Sequence, residues 1–128
     1  MIDVKLREII GSADMLKQVS EMKLRGRTAW KVAKLLKKLE EELNLFTSTR
    51  EKLIKEYAEK DENGNFVINE KTNEYTFSEE NMNKFMTELN ELTEGTVHID
   101  ADKIRLDELE NLDFTPTQMV GLEPFIEE

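Results

Sequence analysis

TAWKVAKLLKKLEEELNLFTSTREKLIKEYAEK, residues Thr28–Lys60, carries Val32, Leu36, Leu39, Leu43, Phe46, Arg50, Leu53 and Tyr57 at alternating steps of four and three. This is the a/d spacing of a helix seam sustained over more than three heptads, with Arg50 as its one polar member. Thr28 supplies a cap, and a helix over 28–60 is about 50 Å long at 1.5 Å per residue. Such a helix is not stable alone in water, so another element or another chain must cover its apolar seam.

The flanking sequence offers the cover. Ser78 caps a second helix over 78–95, with Glu79 and Glu80 in its first turn, an apolar stripe of Met82, Phe85, Leu89 and Leu92, and Gly95 to close it. Between the two helices, Phe66–Ile68 and Tyr75–Phe77 are short β-like runs joined by a turn-rich segment, which predicts a hairpin over 65–77. Upstream, Ile2, Val4 and Leu6 alternate as in a half-buried strand. Ser12 then offers a cap for a helix through Met15, Val19 and Met22 that should stop near Arg25-Gly26. Downstream, 96–128 is acidic. Thr96–Asp100 and Ile104–Leu106 read as strands, Thr115-Pro116 opens a short helix, and Phe125-Ile126 docks. The expectation is a single α+β, mainly α domain over 1–128, built on a long helix in a helical hairpin with a small β-hairpin at its tip and a short C-terminal strand and helix region.

Composition sets the outer limits. A chain of 128 residues with 38% apolar and 36% charged content has material for one modest core. Cysteine is absent, which removes disulfides, thiolate nucleophiles and zinc–thiolate sites, and fits a reducing compartment or a virion. MIDVKLREII has no long apolar run behind a basic tip, and no stretch reaches the roughly 18 apolar residues of a membrane span. A soluble protein without a readable export signal is expected.

Catalytic patterns are weak. Asp61, Asn63 and Asn65 begin a calcium-loop spacing, but Phe66 and Thr72 stand where that loop needs glycine and an acid. His98 is the only histidine and lies mid-strand, so neither a Ser–His–Asp set nor a shared metal is built around it. Asp100 with Asp102, and Asp107 with Glu108, are carboxylate pairs that read as a solvated strand face. No catalytic residue, metal ligand or cofactor is expected.

Charge is the most informative feature. Net charge is −10, yet residues 1–60 hold 14 Lys/Arg against 10 Asp/Glu, while 61–128 hold 4 against 18. On a helical wheel Arg27, Lys31, Lys34 and Lys38 fall within about 60° of one another, away from the seam. Three readings stand: a solvated or internally matched face, a site for an acidic protein partner, or a nucleic-acid contact. The last lacks base-reading Asn or Gln and has Trp30 alone as an interleaved aromatic, so nucleic acid is not an expected partner, and without an apolar span neither is a membrane. Trp30 lies off the seam, either covered by the 12–24 helix or exposed as an anchor at a partner interface. Arg50 is either paired with Glu88 or Glu91 of the second helix, or marks where the cover ends and water or a second subunit begins.

KLRGRTAWKVAKLLKKLEEEL (23–43), EKLIKEYAEKDENGN (51–65) and LEPFIEE (122–128) resemble small uncharacterised proteins encoded by tailed bacteriophages and prophages of Gram-positive bacteria. The resemblance spans most of the chain and carries helix and turn patterns without a catalytic signature. It implies a viral origin, a location in the host cytoplasm or the virion, and an interaction role. The leading expectation is a non-enzymatic phage protein acting by protein–protein contact in virion assembly or structure, with homo-oligomer formation left open. The alternative is a small acidic inhibitor of a host or defence nucleic-acid-binding protein, and the third reading is a weak nucleic-acid binder.

Overall fold

In the computed structural model, which describes residues 1–128, the fold is α+β and mainly helical, with four α-helices and small strands. The chain divides into two compact units, residues 1–44 with 94–128, and residues 45–93.

The first unit opens with strand β1 (Ile2–Lys5), which places Ile2 and Val4 inward and Asp3 outward, as the period-two pattern requires. Helix α1 (Leu6–Ser20) follows with no intervening loop. Its start differs from the expected Ser12 cap. The Lys5 N–H donates to the Glu8 carboxylate at 3.1 Å, closing the first turn, and Ser12 lies buried mid-helix. The helix ends at Ser20, so Met22 falls outside it, and Gly26 opens the next helix instead of closing this one. Strand β4 (Thr96–Ile99) pairs antiparallel with β1, Ile2 opposite Ile99 and Lys5 opposite Thr96. The Leu6 N–H extends that ladder to the Gly95 carbonyl at 3.0 Å. Lys5 and Arg7 hold the Glu94 carboxylate at 2.9 and 3.1 Å. The hydrogen bond from Lys5, aided by the Arg7 charge, keeps that carboxyl below the ordinary glutamate range.

Strand β5 (Ile104–Arg105) runs into a 3-10 turn (Leu106–Leu109) and pairs in parallel with β6 (Ile126–Glu127). Between them α4 (Pro116–Leu122) starts as expected. The Thr115 hydroxyl accepts from the Gln118 N–H, the Gln118 side chain accepts from the Thr115 N–H, and Pro116 occupies the first helical position. Gly121 sits within this helix rather than ending it, and a Cβ there would lie 3.5 Å from the Met15 side chain. Phe125 is fully buried, with Leu122, Ile104, Ile9, Leu16 and Val19.

Helix α2 (Gly26–Tyr57) is the long helix expected from the seam. Its buried residues are Thr28, Val32, Leu35 and Leu39. Thr28 is therefore a core residue in the first turn and not the cap. The seam runs through Leu35, with Leu36 half-buried beside it.

In the second unit, Gly64 at φ 81 and the Asp61 carboxylate, which accepts from the Asn63 and Asn65 N–H groups, form a tight turn after α2. Strands β2 (Ile68–Asn69) and β3 (Glu74–Tyr75) pair antiparallel. They are shorter than the expected 66–68 and 75–77 because Glu59 takes part in the pairing: its carbonyl accepts from Val67 and its N–H donates to Thr76. Helix α3 (Glu79–Glu94) starts where expected, with the Ser78 hydroxyl accepting from the Asn81 N–H. Phe85 stacks on Phe77 with ring centroids 5.2 Å apart, and the Asn81 amide donates to the Tyr57 carbonyl. Ala58 and Phe85 are the buried apolar residues of this unit.

Candidate functional site

The first turn of α2 contains no acid, and the exposed Arg25 and Arg27 stand at this end of the helix with no carboxylate of that turn to offset them. Cations at the positive end of a helix dipole are unfavourable unless a countercharge comes from elsewhere. Glu108 supplies it. The Lys31 ammonium donates to both carboxylate oxygens at 3.1 Å, and the Arg105 N–H donates to one of them at 2.9 Å. Burial pushes the Glu108 carboxyl up, but the Arg105 N–H and the Lys31 ammonium outweigh it and hold the group below the ordinary glutamate range. Lys31 is thus matched within the fold. Asp107 is engaged as well, accepting from the Arg105 guanidinium at 2.8 Å.

The rest of the basic stripe lies differently. Arg27 and Lys34 are exposed and Lys38 is half-buried. Arg27 also lines an open cleft of about 450 Å³ in which Arg25 and Arg105 are accompanied by the carboxylates of Asp107, Glu108 and Glu110. Trp30 is 72% exposed, and helix geometry puts it nearly opposite the Val32–Leu35–Leu39 face, between Arg27 three residues before and Lys34 four residues after. The expectation that the preceding helix covers Trp30 is not met. Helix α1 spends its apolar side, Ile9, Leu16 and Val19 among others, on the core, and packs against β1 and α4. One aromatic ring, flanked by two exposed cations on a rigid helix, is left facing solvent.

Arg50 is exposed, although the seam residues on either side of it, Phe46 and Leu53, are half-buried. Glu88, a candidate partner for Arg50, serves Tyr57 instead: burial and a hydrogen bond to Glu88 raise the Tyr57 phenol above its ordinary value. Glu91 makes no ion pair with Arg50 either. Arg50 is therefore exposed and without an ion-pair partner between two half-buried seam residues.

The carboxylates considered for chemistry are dispersed. Asp3 and His98 face each other across the β1–β4 ladder and pair on an exposed sheet face. Asp100 and Asp102 are exposed. Asp107 and Glu108, expected on a solvated strand face, lie instead in the 3-10 turn, and Glu108 is largely covered and paired with Lys31. The spacing of Glu108 from Arg105 resembles a capping box, but arginine in place of Ser or Thr hides that signal.

No curated protein and no solved structure matches the chain. A family match covers residues 4–118, most of the sequence, and on that match the chain belongs to the family described as protein of unknown function (DUF1617).

Proposed function

We propose that this chain is a non-enzymatic protein of bacteriophage origin that acts by protein–protein contact in virion assembly or structure, and that it grips an acidic partner with the Trp30 face of α2. The observation that carries the reading is the exposed Trp30 ring between Arg27 and Lys34. Tryptophan is costly to leave in water and is enriched among the residues that dominate protein interfaces. Flanking cations would steer and orient an acidic partner without adding apolar area. The resemblance of residues 23–43, 51–65 and 122–128 to phage-encoded proteins supports the viral context. The ion pairs of Lys31 with Glu108 and of Arg105 with Asp107 are consistent with stabilising roles for these residues.

The test is a phage carrying Trp30→Ala with Lys34→Glu in this gene. Intact particles are counted by negative-stain microscopy, and the folding of the purified variant is checked by circular dichroism. A folded variant with particle yield reduced at least tenfold is expected. Normal particle numbers would overturn the assembly role. If that result came with poor growth on one host alone, inhibition of a host protein would replace it.

A further inference from the structure

We propose that residues 45–93 form a homodimer face, in which the helix pair made by the end of α2 and by α3 docks on the same pair of a second copy. This is independent of the Trp30 reading, which uses the other end of α2.

Apolar supply and cover do not balance in this unit. Helix α3 presents Met82, Phe85, Met86 and Leu89 as one stripe, yet only Phe85 is buried, and Met82 and Met86 stay 39% and 43% exposed. On α2, Phe46 and Leu53 are half-buried. Two helices alone leave one side of each stripe in contact with water. Two pairs packed face to face close both stripes, the geometry of a four-helix bundle.

Charge identifies the occupant. Over 45–57, α2 carries Arg50, Lys52 and Lys55 against Glu51 and Glu56, a net of +1, whereas α3 within this unit carries Glu79, Glu80, Glu88 and Glu91 against Lys84, a net of −3. A uniformly acidic partner would be repelled by α3, and a uniformly basic one by the α2 segment. A two-fold related copy sets each basic segment beside the other copy's acidic helix, and does so twice. Arg50 then has a role. Exposed in the middle of an apolar strip and unpaired within its own chain, it meets a carboxylate of the second copy and fixes the register, as single polar seam residues do.

Sedimentation velocity of the full chain over the micromolar range tests this. The expected species has twice the 15.0 kDa mass of one chain. Met82→Glu with Met86→Glu should give a monomer of unchanged helix content, since both positions are already solvent-exposed in the single chain. If that variant fails to fold, Arg50→Glu, a substitution at an exposed site, carries the test and should weaken the dimer about tenfold. Trp30→Ala should leave the mass unchanged. A wild-type monomer throughout, a dimer that neither 45–93 variant weakens, or a dimer lost on Trp30→Ala would each overturn the proposal.

Discussion

Helix α2 passes through both compact units, and its two stretches meet opposite fates. From Val32 to Leu39 its inward residues reach full burial; from Phe46 to Tyr57 every one of them stops half-way. The sequence spacing is the same in both. Periodicity therefore fixes which side of a helix is apolar, while the depth of burial depends on how many other elements supply a cover. The first unit holds two further helices, two small sheets and the buried Phe125, whereas the second holds one further helix and one small sheet.

The contrast breaks most directly under matched substitutions. Leu35→Asp buries an unpaired charge at a site with no solvent contact and should cost about 4 kcal/mol or more, enough to abolish the thermal transition. Leu53→Asp, half-exposed already, should cost about 1 kcal/mol and leave a cooperative melt. Equal effects in circular dichroism melts would mean that the two stretches are equally covered. Hydrogen exchange sharpens the comparison without mutation. Amides around Val32–Leu39 should open with a free energy about 2 kcal/mol above those around Phe46–Tyr57. If residues 45–93 pair as proposed, that gap narrows as concentration rises.

The smallest expected effect is the most specific. Lys31→Met removes the ammonium that faces Glu108 and should cost about 1 kcal/mol at neutral pH. Because the folded Glu108 carboxyl is held below its unfolded value, its contribution is complete above the ordinary glutamate pKa of about 4.3 and fades as pH falls through the folded value. Wild type and variant should therefore converge in acid. A difference in urea midpoint that stays constant down to acid pH would assign the loss to packing by the lysine stem.

Most elements could be read from the residues, and the misreadings share a cause. Val32–Leu36–Leu39 and Val32–Leu35–Leu39 satisfy the same spacing rule. Two adjacent leucines leave the choice to whichever side the rest of the chain covers, and that lies outside any local window. Ser12 looked like a cap because Ser, Thr, Asp and Asn are the usual signals; the true start uses the Glu8 side chain on the Lys5 N–H, with lysine at the boundary. The parallel pairing of Ile104 with Ile126 joins segments that carry no mark of each other. At the candidate site, the wheel grouped Arg27, Lys31, Lys34 and Lys38 but held no information on Glu108, whose approach to Lys31 is a tertiary contact.

The ladder between β1 and β4 has a consequence for the order of events during synthesis. Ile2 cannot meet Ile99 until nearly a hundred residues have left the ribosome, which takes on the order of ten seconds at elongation rates of about 5–20 residues per second. Residues 45–93 emerge as one uninterrupted run, complete before the first unit has its second strand. For that interval Ile2 and Val4 lack their native partner strand, the kind of transiently exposed apolar edge that favours aggregation during synthesis. The nascent chain therefore completes its middle unit first and joins the two ends of the other unit last.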